Sequence, residues 1–133
     1  MKIIKVSSDY FTITKKSRIN VPRLSFKRIK DDVLGSEYSL SLVFIGSDFS
    51  RRLNKEHRKK DRPASVLSFP LSPDEGEMFI DLNNARKEAS RFDMSFRKFV
   101  GYLFIHGLLH LKGMRHSCTM EKEEKRLIER HLI

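Results

Sequence analysis

Three of the chain's five histidines, His106, His110 and His116, fall in one short segment. His106 and His110 are four residues apart, so a helix places both imidazoles on the same face, one turn apart. Gly113 can end that helix in a left-handed conformation and fold the chain back, which brings His116 towards the other two. Three neutral imidazoles that leave a fourth position open are the ligand set of a catalytic zinc ion. The spacing therefore predicts one metal ion per chain, held on a central helix.

The metal expected at this site is Zn²⁺, which lowers the pKa of a bound water to about 7. Imidazole ligands also suit nickel, copper and iron, so other divalent metals stay open. Cys118 follows the last histidine closely, but as a fourth ligand it would close the open coordination position. We therefore interpret Cys118 as an ordinary small residue, and His57 and His131 as ordinary helix residues.

The histidine spacing H-x-x-x-H-x-x-G-x-x-H is also that of the metzincin peptidases, which carry a glutamate directly after the first histidine. That glutamate is the general base for peptide hydrolysis, and this chain has Gly107 in its place. Without a carboxylate to activate water, peptide hydrolysis loses its main assistant. A metzincin-like metallopeptidase is kept as the less favoured alternative.

A basic segment over residues 51–62 is the second candidate for chemistry. It reads as the end of a helix, a turn and the start of a strand, an arrangement that can aim an arginine into a cleft for bidentate contact with phosphate. The net charge of +10 likewise favours nucleic acid as the partner, ahead of a membrane surface or a merely solvated face. The residues that we expect to bind nucleic acid are Arg51, Arg52, Lys55, Arg58, Lys59, Lys60 and Arg62.

The elements that position these residues form an α+β pattern. Strands are predicted at 2–6, 38–45, 66–69 and 78–82, with Pro70 ending the third. Helices are predicted at 22–34, 47–58, 84–91 and 95–111, with a last helix beginning at Thr119. Residues 1–133 are room for one domain, so we expect a single compact α+β domain with a mixed sheet of about four strands packed by helices.

Composition narrows the class of protein further. The single cysteine cannot form an internal disulfide, which favours a reducing compartment. The longest apolar stretch, 99–111, is shorter than the roughly 20 residues of a membrane-spanning helix, and the first residues lack the apolar core of a signal peptide. We expect a soluble, cytoplasmic protein with no membrane partner.

Two segments resemble one known family. Residues 106–116 resemble the H-G-x-L-H-L-x-G-Y-D-H signature of the YbeY endoribonucleases, the rRNA maturation factor family. Residues 53–70 resemble the family's L-N-x-x-x-R-x-x-D-x-P-T-D-V-L-S-F-P stretch, and the two motifs occur in the family's order at a fitting separation. The chain departs from the motifs at Met114-Arg115, where the family has Tyr-Asp, and at Ala64-Ser65, where it has Thr-Asp.

The resemblance implies a compact α+β fold with zinc held by His106, His110 and His116. It implies a single-strand-specific, metal-dependent endoribonuclease in 16S rRNA 3′-end maturation and ribosome quality control, with the 16S rRNA precursor and the ribosome or its small subunit as partners. The family's functional arginine falls on Arg58, which we expect to hold the scissile phosphate and stabilise its developing charge. The nucleophile, water or the RNA's own 2′-OH, stays open. The non-enzyme alternative is a ribosome-binding assembly factor in which zinc only stabilises the fold.

Overall fold

The computed structural model describes residues 4–8 and 10–132. Within them the chain forms five strands and five helices. The strands are β1 (Ile4–Ser8), β2 (Phe11–Lys15), β3 (Ser39–Ile45), β4 (Val66–Ser72) and β5 (Glu75–Asp81). The helices are α1 (Phe26–Leu34), α2 (Ser47–Arg58), α3 (Leu82–Arg91), α4 (Phe96–Leu111) and α5 (Cys118–His131). None of these helices is long and apolar enough to cross a membrane.

The strands form one mixed sheet in the order β1-β2-β3-β5-β4. The central strands β2, β3 and β5 run parallel, whereas the edge strands β1 and β4 are each antiparallel to their neighbour. The predicted α+β class is confirmed, and the sheet has five strands where the sequence suggested about four. The additional strand is β2, whose alternation of apolar and polar residues is too short to stand out in the sequence. Of the predicted strand 2–6, residues 2 and 3 lie outside the described residues.

The hydrophobic core lies between one face of the sheet and α4. Met78 and Ile80 on β5, and Phe104 and Leu108 on α4, are all 0% exposed. Burying a side chain of this size contributes about 1.5–3 kcal/mol to the free energy of folding. Helices α1, α3 and α5 each contact α4. The helix that carries two of the three histidines is therefore the central helix, as predicted, and the core fixes its position.

Helix α2 lies against the opposite face of the sheet. Along β5, Phe79 alternates with the core residues Met78 and Ile80, so its side chain points away from α4. The ring of Phe49 on α2 stacks on Phe79 with ring centroids 6.1 Å apart. The sheet therefore separates most of the basic segment from the helix that carries the histidines.

Several element boundaries differ from the sequence prediction. Strand β4 continues through Pro70 to Ser72, because an edge strand tolerates a residue that cannot donate a hydrogen bond to the ladder. Helix α3 begins at Leu82, where the Asp81 carboxylate accepts from the amide of Asn84 at 2.9 Å. Ser95 caps α4 as predicted, accepting from the Lys98 amide at 3.1 Å. Helix α1 begins at residue 26 instead of 22, and α5 begins at residue 118 instead of 119.

Candidate active site

The three histidines come together at the C-terminal end of α4. His106 and His110 project from the same face of the helix, with ring centroids 4.5 Å apart. Helix α4 ends at Leu111, and Gly113 adopts a φ of +104°, a left-handed conformation that favours glycine. The chain turns there and returns His116 to a ring distance of 5.6 Å from His106. One ligand nitrogen from each histidine lies within 4.8 Å of the other two, so the predicted cluster forms.

The hydrogen bonds of two histidines leave their Nε2 atoms directed at a common point. His106 Nδ1 lies 2.6 Å from the Glu124 carboxylate, and His110 Nδ1 lies 3.1 Å from the carbonyl oxygen of Met114. Both partners accept, so each Nδ1 carries a proton, and in the neutral form of the ring that a metal requires the lone pair lies at Nε2. The two Nε2 atoms are 3.1 Å apart. Two lone pairs facing each other at this distance repel unless a cation lies between them, so the residues present fit a metal ion of the zinc type.

Glu124 is a functional residue that the sequence reasoning missed. It lies on α5 and is only 5% exposed, and its carboxylate accepts a hydrogen bond from Nδ1 of His106. A carboxylate in this position fixes the tautomer and the orientation of a metal-binding imidazole and raises its basicity. The spacing of Met120, Glu124 and Leu127 places a carboxylate on the buried stripe of α5, and this is the signal that could have found it. The carboxylate comes from a separate helix, while the exposed Arg115 occupies the position where the family motif has an aspartate.

The electrostatics of the cluster keep His110 neutral. Burial is the largest cause that lowers the pKa of His110, and repulsion from His106 and Arg58 adds to it, while the hydrogen bond with Met114 opposes it. A lowered pKa means that the imidazole stays deprotonated to a lower pH than usual. A metal ligand must be in that form, so the environment favours metal binding at neutral pH.

Gly107 lies in close contact with the sheet, at the position where the metzincin peptidases carry their glutamate. A Cβ added at this position would lie 2.6 Å from Cε of Met78 and 2.8 Å from Oγ of Ser68. The Ser68 hydroxyl also donates to the Gly107 carbonyl at 3.3 Å, so α4 lies directly against β4 and β5 there. A larger side chain here would require the end of the Met78 side chain and the Ser68 hydroxyl to move, so the packing of α4 against the sheet favours glycine after the first histidine.

Arg58 reaches the histidines from α2. A cavity of about 250 Å³, here called the histidine cavity, is lined by Arg58, Ser68, His106 and His110 among others. Helix α2 ends at Arg58 because Lys59 adopts a left-handed φ of +57°, and its amide donates to the Lys55 carbonyl at 3.1 Å. The last helical residue thus stands beside the edge strand β4, which also lines the cavity.

Five of the six other predicted RNA-binding residues separate into two groups. Lys60 and Arg62 line a second cavity together with Arg58. Arg51, Arg52 and Lys55 line a different cavity further up α2, away from the histidines. There Arg51 forms a two-bond ion pair with Asp61 at 2.7 and 3.2 Å, and the Arg52 guanidinium lies 5.4 Å from the centre of the Phe49 ring. Lys59 ends the helix and lines none of these three cavities.

The remaining histidines and the cysteine lie outside the cluster. The His57 ring packs 4.7 Å from the Phe69 ring, and His131 Nε2 lies 2.8 Å from the Asp32 carboxylate. Cys118 is exposed at the start of α5. Among the residues that the structure describes, only His106, His110 and His116 meet as a group that could hold a metal ion.

Comparison with known proteins gives one consistent result. The family model described as Endoribonuclease YbeY matches residues 4–132. The YbeY endoribonuclease of Acholeplasma laidlawii is 30% identical over 112 residues, covering 81% of this chain and 78% of the relative. That of Carboxydothermus hydrogenoformans is 37% identical over 94 residues, covering 67% of this chain and 64% of the relative. A solution structure of a Thermotoga maritima protein is similar with a TM-score of 0.58 and 29% identity, covering 78% of this chain and 77% of that one. On these matches and the histidine geometry, the chain belongs to the YbeY family of endoribonucleases.

Proposed function

We propose that this chain is a zinc-dependent, single-strand-specific endoribonuclease that acts in 16S rRNA 3′-end maturation and ribosome quality control in the cytoplasm. The observation that carries the proposal is the histidine cavity, in which Arg58 and two histidines of the cluster line one space of about 250 Å³. A cation-binding group and a phosphate-binding group side by side are the parts that cleavage of a phosphodiester requires. The net charge of +10 suits an anionic polymer as substrate.

The metal ligands would be His106, His110 and His116. Glu124 and the Met114 carbonyl keep the protons of His106 and His110 on Nδ1, which leaves Nε2 of both rings available. When bound, zinc supplies a Lewis acid that polarises a phosphoryl oxygen and lowers the pKa of a water. Three protein ligands without a fourth are the arrangement of a catalytic rather than a structural zinc site.

Arg58 would hold the scissile phosphate. Its guanidinium donates in a planar fork that matches two phosphate oxygens, and it stays charged at any working pH. The described residues that line the cavity with it are Val66, Ser68, Pro70, His106, His110 and Leu111. None of these is a carboxylate, so none competes with phosphate for the arginine. The charge that develops on the phosphate would therefore meet Arg58 directly.

The product ends identify the nucleophile. Attack by the RNA's own 2′-OH leaves a 2′,3′-cyclic phosphate, whereas attack by water does not. None of the described residues that line the histidine cavity is an aspartate or a glutamate, so no carboxylate is available there to act as a general base. Mass spectrometry of the released fragments distinguishes the two routes.

The experiment that tests the proposal is cleavage of end-labelled single-stranded RNA by tag-free protein, beside a His110→Ala variant purified identically. We expect the wild type to carry about one zinc per chain and to cut, and the variant to lose both, because one of three ligands is gone. Equal activity in the two proteins would point to a contaminating nuclease. RNA binding with strong salt dependence and no cleavage would favour the alternative of a ribosome-binding assembly factor.

A further inference from the structure

A second cavity adjoins the histidine cavity on the other side of Arg58. It has a volume of about 420 Å³, and its lining combines the end of α2, the loop that follows it and α3. We call it the cationic cavity, because four of its lining residues are Arg58, Lys60, Arg62 and Arg91. Arg58 lines both cavities, so the two spaces share one wall.

The four cations of the cationic cavity form no ion pair within the described residues. Some arginines elsewhere on the surface are paired: Arg126 lies 3.0 Å from Glu123, and Arg130 lies 3.3 Å from Asp32. None of the ion pairs within the described residues involves a lining residue of this cavity. Four cations against one carboxylate, that of Glu88, leave the lining of this concave space with a net positive charge that attracts an anion.

The cavity also contains one carboxylate, that of Glu88, held in a fixed position. Its Oε1 accepts a hydrogen bond from the Ser65 hydroxyl and another from Nδ2 of Asn84 at 3.4 Å. Nδ2 of Asn84 also donates to Ser65 Oγ at 2.9 Å, which closes the network. The second carboxylate oxygen, Oε2, receives no hydrogen bond from the described residues, so it is available to a donor on a ligand.

The wall of the cavity contains a further acceptor that lacks a donor. Asn54 is 2% exposed, and its Nδ2 donates to the Arg62 carbonyl at 3.0 Å, which ties the loop to α2. Its Oδ1 is buried and has no hydrogen-bond partner among the described residues. Buried acceptors are normally satisfied, so this one marks a place where a donor would be favourable.

We propose that the cationic cavity is a nucleotide subsite of the RNA, next to the phosphate held by Arg58. Lys60, Arg62 and Arg91 contact the backbone phosphate of that nucleotide, and Glu88 accepts from the exocyclic amino group of its base. The inference rests on the proposed function, because it takes the histidine cavity as the place of cleavage. A carboxylate accepts well from the amino group of cytosine and meets only carbonyl oxygens at the corresponding position of uracil, so the subsite prefers cytosine to uracil.

The phosphate contacts are tested by the salt dependence of binding. Wild type, a Lys60→Gln/Arg91→Gln variant and a control Arg28→Gln/Lys98→Gln variant are titrated with a fluorescent 2′-O-methyl oligocytidylate, whose integrity is checked afterwards. The two control residues are exposed and line neither cavity. Their replacement lowers the net charge by the same amount as the cavity variant does. We expect the cavity variant to bind about tenfold more weakly than wild type. A plot of the logarithm of its binding constant against the logarithm of the salt concentration should have a slope smaller in magnitude by about 1.4. The control variant should keep the wild-type slope. Equal slopes in the two variants would overturn the phosphate contacts.

The base contact is tested with oligocytidylate against oligouridylate of equal length. We expect the wild type to bind the cytosine oligomer about fivefold more tightly. Glu88→Gln keeps the shape of the side chain and adds a donor that suits uracil. The ratio of the affinities for the cytosine and uracil oligomers should therefore fall towards one. A wild type without preference, or a preference that survives Glu88→Gln, would contradict the role of Glu88.

The outcomes separate the subsite from the proposed function. If the wild type does not cut RNA but the cavity variant binds it more weakly than the control does, the subsite stands and the nuclease proposal fails. If the wild type cuts and the cavity variant binds and cuts as the control does, the nuclease proposal stands and the subsite is wrong. Zinc content, measured in every variant, should stay unchanged because none of these residues contacts a histidine of the cluster.

Discussion

The histidine cluster and the basic segment are held in opposite ways. In the cluster, the rings of His106 and His110 each have a hydrogen-bond acceptor that fixes their orientation, and both project from the central helix of the core. In the basic segment, Lys60 and Arg62 are exposed on a loop without ion-pair partners among the described residues. The difference teaches that the metal site needs fixed geometry, whereas a phosphate backbone needs positive charge more than exact placement.

Arg58 lies between the two regions, and its replacement should have the largest effect. We expect RNA turnover to fall while zinc content is unchanged. Arg58→Glu should lower RNA turnover by about 10²–10³-fold, since it removes a donor from the charge that develops on the phosphate. Zinc content should stay at the wild-type level, because Arg58 is not one of the predicted ligands. Single-turnover cleavage and metal analysis measure the two effects.

The control for this variant is Arg28→Glu, an exposed arginine on α1 with the same change in charge. If both variants lose turnover equally, net charge alone explains the effect and Arg58 has no special role. If Arg58→Glu also loses zinc, Arg58 contributes to the metal site as well as to the binding of phosphate.

Glu124 should have the next largest effect, on the affinity for metal. Glu124→Gln keeps the size of the side chain but weakens acceptance of the His106 Nδ1 proton, so zinc affinity should fall by about 10–100-fold. Competition with a chelator measures the affinity directly, independently of activity. The matched control is Glu123→Gln at the neighbouring position, where the carboxylate pairs with Arg126 at 3.0 Å and not with a histidine. Equal zinc affinity in the two variants would remove Glu124 from the metal site.

Gly107 tests whether the packing of α4 supports the cluster. Gly107→Ala places a methyl group within 2.6 Å of Met78, so we expect the free energy of unfolding to fall by about 1–3 kcal/mol. Zinc affinity should fall with it, because His106 is the preceding residue. Gly46→Ala is the comparison variant, since a Cβ there meets nothing within 4 Å. Urea denaturation gives the stability, and a Gly107→Ala protein as stable as Gly46→Ala would show that the Met78 side chain moves aside without cost.

Replacement of Asp61 should have the smallest effect on cleavage. It tests whether the part of the basic segment around Arg51 acts separately from Arg58, Lys60 and Arg62. Asp61→Asn breaks the exposed pair with Arg51, and exposed pairs contribute little to stability. The Arg51 hydrogen bond lowers the pKa of the Asp61 carboxyl, so the pair is present above the usual pKa of aspartate and is lost as pH falls through the lowered value. We expect cleavage within about twofold of wild type, since Arg51 lines neither the histidine cavity nor the cationic cavity. A tenfold change in cleavage would mean that the whole basic segment acts as one unit.

Much of the fold and the centre of the site could be predicted because their signals are local. Helix α4 follows from its apolar residues, the Ser95 cap and the turn at Gly113, all within one stretch of chain. Strand β2 escaped prediction because its stability comes from pairing with β3 over a short run, which no local pattern reports. The prediction that a strand ends before Pro70 was wrong. A proline is tolerated in β4 because this strand lies at the edge of the sheet, and the local sequence does not show that position.

The sequence by itself determined the histidine cluster, because a spacing of four residues on a helix and a glycine turn fix the relative positions of the three rings. Only the tertiary structure decided which groups surround that cluster. Glu124 reaches His106 because α5 packs on α4, and Arg91 joins Lys60 in one cavity because α3 and the loop after α2 line the same space. Such neighbours are set by contacts between distant segments, and residue spacing carries no record of those contacts.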